Sequence, residues 1–143
     1  MIQVEERVSI TKSADEAFLY LADFANLPEW DPGIARVTRR DLGALAIGSQ
    51  FDVVARFMGR EVPMVYELVR YEVASRVAEL VGTAPGLRAT DRIRVTPRGT
   101  GAEVHWQADF ELSGVNRLLS PVMRPLFARL ARKSMDGLVR RLG

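Results

Sequence analysis

Residues 118–142, LLSPVMRPLFARLARKSMDGLVRRL, form the one stretch of this chain long enough for a dominant helix. Leu119, Met123, Leu126, Phe127, Leu130 and Leu138 recur at three-to-four spacing and make a single apolar stripe. Arg117, Arg124, Arg132, Lys133, Arg140 and Arg141 take most of the remaining surface. Ser120 followed by Pro121 reads as an N-cap and a first-turn proline, with Leu118 and Leu119 in a preceding turn. Pro125 removes one amide donor and is expected to bend the helix. From Pro121 to Leu142 the rod would be roughly 33 Å long. A helix with one apolar stripe must bury it against another layer.

The preceding sequence supplies that layer as strands. Ile2, Val4, Val8 and Ile10 alternate with polar residues, and Glu6 falls on the apolar side of the alternation. Ser13 with Glu16 is a capping box opening a helix that carries Ala17, Phe18, Leu21 and Ala22. A second short helix fits Asp23 to Leu27, with Pro28 biasing Leu27 away from helix. Strands then read at 34–40, 51–58, 61–68, 76–81, 88–96 and 103–112. Gly59-Arg60 reads as a type II′ hairpin turn that sets Phe57 opposite Val62 and puts Met64, Tyr66 and Leu68 on one face. Residues 82–86 read as a loop. The last hairpin has one register that keeps its apolar side chains together: Val95 with Val104, Ile93 with Trp106, and Asp91 with Ala108. Asp91 is thereby expected to face the interior.

The order is strand, two short helices, six strands, long helix, an α+β chain in a single domain over residues 1–143. Short hairpin connections imply an antiparallel sheet of seven strands. A curved sheet around one helix leaves a gap, so a cavity of about 300 Å³ or more is expected between them.

Several functions are excluded. With no cysteine there is no disulfide and no thiolate nucleophile or metal ligand. His105 is the only histidine and lies on a polar strand face, so no metal site and no nucleophilic triad can be assembled. No Gly-rich phosphate loop is present and no cofactor is expected. The net charge of +2 does not suit a nucleic-acid binder, and no apolar run is long enough for a membrane span. The polar start MIQVEERVSI is unlike a signal peptide, so a cytoplasmic protein is expected. The charge is uneven, however. From Arg117 onward there are seven basic residues and one acidic. Such a segment is either a solvated face or a docking surface for an acidic partner or membrane.

Val8 to Ile10, Asp15 to Asp23, Leu27-Pro28-Glu29-Trp30-Asp31-Pro32, Phe57-Met58-Gly59, Tyr66-Glu67 with Tyr71, Asp91-Arg92-Ile93, Gly101 to Val104 and the long helix occur in this order. The set resembles the START-like, or helix-grip (SRPBCC), superfamily in its polyketide cyclase/dehydrase and lipid-transport branch. The resemblance implies a curved sheet wrapped around the C-terminal helix, with a small hydrophobic ligand held between them. Under it, Trp30, Phe51, Val53, Phe57, Met64, Tyr66, Leu68, Asp91, Ile93, Trp106, Phe110, Met123 and Phe127 become candidate ligand contacts. A carboxylate on an apolar strand face must be paired, hydrogen-bonded or raised in pKa. Asp91, Tyr66 and Glu6 are therefore the candidate catalytic groups. Three functions stay open: ligand binding, a cofactor-free cyclase or dehydratase, and a docking module using the basic helix. A homodimer also stays open, and Trp30 reads either as a structural plug or as part of a lid over the cavity.

Overall fold

The computed structural model describes residues 1–143. Seven strands form one antiparallel sheet: β1 (Ile2–Ile10), β2 (Ile34–Arg39), β3 (Gln50–Phe57), β4 (Arg60–Glu72), β5 (Val77–Ala84), β6 (Leu87–Arg98) and β7 (Gly101–Leu112). Their spatial order is β1-β7-β6-β5-β4-β3-β2, a meander from β2 to β7 with β1 added beside β7. Between β1 and β2 lie α1 (Ala14–Ala22), a 3₁₀ turn (Phe24–Asn26) and α2 (Leu27–Trp30). A second 3₁₀ turn (Gly114–Leu119) leads into α3 (Ser120–Leu142).

The helices start where the sequence provides donors and acceptors. Ser13 caps α1 by accepting from the Glu16 amide at 3.4 Å. Asp23 caps the first 3₁₀ turn through the Ala25 amide at 3.0 Å. Leu27, which Pro28 was expected to bias away from helix, has φ −49° and ψ −44°. Its amide bonds Phe24 O, so the 3₁₀ turn runs directly into α2 and Pro28 occupies a first-turn position that needs no donor. Ser120 likewise departs from its expected role. It is helical (φ −48°, ψ −47°), forms no side-chain cap, and bonds Arg117 O through its amide. The preceding turn already supplies the acceptor that a cap would replace.

The sheet register reproduces the last hairpin as read from the alternation, with Val95 opposite Val104, Ile93 opposite Trp106 and Asp91 opposite Ala108. The β3–β4 hairpin differs. Its turn is Met58-Gly59, with positive φ at both (52° and 76°), the signature of type I′ rather than II′. Phe57 therefore faces Arg60, not Val62. The shift is two residues, so Met64, Tyr66 and Leu68 keep the expected face. β5 runs on through Gly82 to Ala84, and the turn narrows to Pro85-Gly86. Gly82 stays inside the strand because the Tyr66 ring lies over it, where any Cβ would overlap the ring carbons.

α3 is held mainly along its second half. Phe127, Met135, Leu138 and Leu142 are buried. Leu142 O accepts from the Thr11 and Lys12 amides at 3.3 Å each, tying the end of α3 to the end of β1. Gly137 backs onto the Trp30 carbonyl and lies close to the Pro32 ring. Toward its start α3 is less enclosed: Leu119 and Val122 are exposed and Met123 only half-buried, so the apolar stripe is buried from Phe127 onward rather than from Leu119.

That close approach reverses a general rule. In an exposed helix, Gly to Ala stabilises by about 1 kcal/mol. At position 137 the added methyl meets the Trp30 carbonyl, and overpacking of this kind costs about 1–3 kcal/mol. Gly137→Ala is expected to lower the urea midpoint by that order; an unchanged or raised midpoint would mean that α3 does not press on α2 here.

Candidate functional site

Between the inner sheet face and α3 lies a cavity of about 220 Å³, lined chiefly by apolar side chains. It is smaller than the 300 Å³ expected from the sequence, because aromatic rings occupy both of its ends. At the inner end, Phe24 stacks on Trp106 (centroids 6.3 Å apart) and meets Tyr66 edge-on at 5.2 Å, while Trp30 packs edge-on against Trp106 at 5.4 Å. At the other end Phe127 stacks on Phe110 at 4.3 Å and on Phe57 at 5.5 Å. Phe57 and Phe110 are only half-buried, so this stack forms the boundary between cavity and solvent.

Of the sequence candidates, Glu6, Trp30, Phe57, Met64, Tyr66, Asp91, Trp106, Phe110 and Phe127 line the cavity. Phe51, Val53, Leu68 and Ile93 do not. They point to the same face but are sealed in the solid core with Phe18, Leu21 and Phe24. Met123 does not reach the cavity either, because it lies in the first turn of α3, before the buried part of the stripe begins. Trp30 is 5% exposed and lines the cavity, and its backbone carbonyl lies against Gly137 of α3. The segment Asp31–Gly33 enters β2 beside Ala55, and the Pro85-Gly86 turn bonds the Ser113 amide through Gly86 O (3.1 Å). Both segments stand at the end of the sheet from which the chain enters α3.

The polar groups on this wall have distinct environments. Asp91 projects from β6, whose alternation puts Ala89, Ile93 and Val95 on the same side. Burial is the main cause that raises its pKa to about 7, the like charges of Asp31 and Asp109 add to it, and the Trp106 indole partly offsets them. Tyr66 is pushed well above the usual phenol range, first by burial and then by Asp91 and Asp31, so it remains a proton-bearing donor. Asp31 was missed in the sequence reading. Its Oδ1 accepts from the Gly33 amide and from Ser134 Oγ, both at 2.8 Å, yet burial still raises its pKa. Asp31-Pro32-Gly33 does carry the signature of an Asx turn, but nothing local to it announces the partner on α3. Ala108, Leu130, Ala131, Ser134 and Met135 also line the cavity and were missed. Leu130, Ala131, Ser134 and Met135 continue from Phe127 at helical spacing, and that period is the signal that could have found them.

His105 is less exposed than expected. It stands on the outer sheet face with Nε2 3.0 Å from Glu5 Oε1. On the same face Arg92 joins Asp109 (2.7 Å) to Glu79 (3.2 Å). No group of three or more His, Asp or Glu side chains could share a metal ion. No helix is long and apolar enough to cross a membrane.

The model of the family described as polyketide cyclase / dehydrase and lipid transport matches residues 1–143. No curated protein matches the sequence. Among solved structures, TTHA0849 from Thermus thermophilus is similar at 16% identity and TM-score 0.82, covering 97% of this chain and 95% of that one. The Zhui aromatase/cyclase from Streptomyces is similar at 15% identity and TM-score 0.76, covering 96% and 88%. The ginseng major latex-like protein 151 from Panax ginseng is similar at 12% identity and TM-score 0.70, covering 98% and 96%. At these identities the likeness is one of fold.

The Asp91 environment has a sign that can be measured. A carboxyl raised from 3.8 to about 7 binds its proton more tightly in the native than in the unfolded chain. Stability is then greatest at the acidic end of that window and falls as pH rises through it. At about 1.4 kcal/mol per unit, discounted for partial exposure, the loss is about 2–4 kcal/mol by pH 8. Asp91→Asn removes the penalty, so it is expected to stabilise by that order near pH 8 and by little near pH 4.5, read from urea melts at both. An equal effect at both pH values would place the Asp91 carboxylate in water.

Proposed function

We propose, from the premise that this chain belongs to the polyketide cyclase / dehydrase and lipid transport family, that it binds a compact hydrophobic or aromatic ligand between its sheet and α3. The observation that carries the reading is the aromatic-walled cavity in which Asp91, Tyr66 and Asp31 are among the few polar groups, beside Glu6, Arg56 and Ser134. An apolar pocket with a small number of convergent polar groups is the usual form of a small-molecule site. A volume of about 220 Å³ favours a ligand below drug size, or one that displaces the Phe57–Phe127–Phe110 stack. The Tyr66 hydroxyl and a protonated Asp91 offer donors to a carbonyl or phenol oxygen, and the rings supply the contact area. We also propose a cytoplasmic location, with which a chain that needs no disulfide to fold is compatible.

A second reading rests on Asp91 itself. A carboxyl with a pKa of about 7 is poised between acid and base at neutral pH. In a cofactor-free cyclisation or dehydration, the Asp91 carboxylate would take a proton from carbon next to a carbonyl, while the Tyr66 phenol donates a hydrogen bond to the enolate oxygen. The similarity to an aromatase/cyclase supports considering it. Loss of turnover in both Asp91→Asn and Tyr66→Phe, with ligand affinity largely kept, would select this reading over simple binding.

The binding reading is tested by filling the space. Ala131 lines the cavity from α3, and a phenyl ring there would occupy it. With a naphthol as probe, wild-type protein is expected to show saturable quenching of Trp30 and Trp106 fluorescence. Ala131→Phe should weaken that binding by about tenfold or more, or about 1.4 kcal/mol. Saturable binding of equal affinity in the filled variant would locate the site elsewhere.

A further inference from the structure

The turn before α3 and the first turn of α3 carry a second apolar stripe, which the ligand reading does not use. Val115, Leu118, Leu119 and Val122 fall at i, i+3, i+4 and i+7. Unlike Phe127 and Met135, they point to solvent: Val115 is 81% exposed, Leu118 83% and Val122 70%. Met58, at the tip of the β3–β4 turn, is 71% exposed, and the Phe57 ring beside it stacks on Phe127. The same end of the molecule therefore presents the cavity's aromatic boundary and a set of protruding aliphatic side chains. The stripe is held in place: Asn116 Nδ2 donates to Gly86 O at 3.3 Å and the Ser113 amide donates to the same oxygen at 3.1 Å.

The charge around these side chains is predominantly positive. Residues 112–135 contain Arg117, Arg124, Arg129, Arg132 and Lys133 and no acidic residue. Arg60 and Arg88, on the neighbouring strand ends, are exposed as well. Of the acidic groups at this end, Glu61 is engaged by Arg36 at 3.2 Å, and Glu111 stands opposite Arg88 across the β6–β7 pair. Protruding aliphatics set among unpaired arginines match an interface that is apolar beneath and anionic at its surface. A second copy of this chain fits poorly, because a two-fold contact would bring each arginine cluster against its own twin. A folded protein partner would need a groove for the stripe, whereas lipid conforms to a convex tip.

We propose that this end of the protein docks on an anionic lipid bilayer, with Val115, Leu118, Val122 and Met58 entering the headgroup region and Arg117 and Arg124 meeting lipid phosphates. Docking in this pose sets the Phe57–Phe127–Phe110 boundary of the cavity against the membrane. The proposal goes beyond the ligand reading and does not depend on it, since none of the docking side chains lines the cavity.

Flotation with vesicles tests it. Phosphatidylcholine vesicles are compared with vesicles that also contain phosphatidylglycerol, in about 0.1 M and about 1 M salt, where the screening length falls from about 10 to about 3 Å. Wild-type protein is expected to float with the anionic vesicles at low salt and to lose at least about tenfold in binding at high salt. The paired variants Leu118→Asp with Val122→Asp, and Arg117→Gln with Arg124→Gln, should each weaken binding by a similar factor. Their thermal melts and naphthol affinity should match wild type, because these residues are exposed and outside the cavity. No flotation with anionic vesicles, or flotation unchanged in both paired variants, would overturn the proposal. So would a concentration-dependent dimer that Leu118→Asp disperses, which would give the stripe to a second copy. Loss of naphthol binding with flotation intact would count against the ligand reading alone.

Discussion

The architecture depends on how unevenly α3 is pinned to the sheet. Its final turn is clasped to the end of β1 through Leu142 O, and Gly137 lets it press onto the carbonyl of Trp30. Before Phe127 no helix side chain is fully buried: Val122 faces solvent, and Met123 and Leu126 are half-buried. A rod pinned at its end over a curved sheet leaves space beneath its middle. The cavity lies there, lined from α3 by Phe127, Leu130, Ala131, Ser134 and Met135, and Phe110, Phe127 and Phe57 are the rings that narrow it. Packing accounts for both the site and its modest volume.

Within that apolar space the chain keeps carboxyl groups, which lose hydration there at a cost that must be offset. Asp31 recovers part of it through the Gly33 amide and Ser134. Asp91 recovers less and shifts its proton affinity instead. Substituting an apolar residue of similar size would be the cheaper way to fill β6 at this point. A group kept at such a cost, on the wall of a cavity that the Tyr66 phenol also lines, is a candidate for orienting or protonating a ligand. Outside, the sheet carries its charges as ladders such as Arg92 between Glu79 and Asp109, where water and counter-charge make them inexpensive.

Much of this was legible in the sequence. Alternation places Asp91 and Glu6 inward because a one-residue slip would expose a whole apolar face, so the register had one solution. The capping box at Ser13 and Glu16 marked the start of α1 for an equally local reason. What was not legible depended on contacts between distant segments. Phe51, Val53, Leu68 and Ile93 share the inward face with Met64 and Tyr66, and only the placement of α1 and Phe24 decides which of them are sealed. Asp31 acquires its setting from Ser134, about a hundred residues away. Met123 shares the periodicity of Phe127, but periodicity carries no information about where along α3 the sheet stops covering it. The Met58-Gly59 turn misled because Gly59 suits II′ as well as I′, and a non-glycine residue at positive φ is not announced by its type.

If the space between α3 and the sheet is a dry, apolar, ligand-sized cavity, a small apolar gas should enter it without disturbing the fold. Crystals of the protein equilibrated under xenon would show this directly by anomalous scattering. The expected result is a peak bounded by Phe24, Met64, Trp106 and Phe127, with α3 unmoved. A cavity filled by collapsed side chains or by an ordered water chain, with xenon absent or confined to the surface, would contradict it.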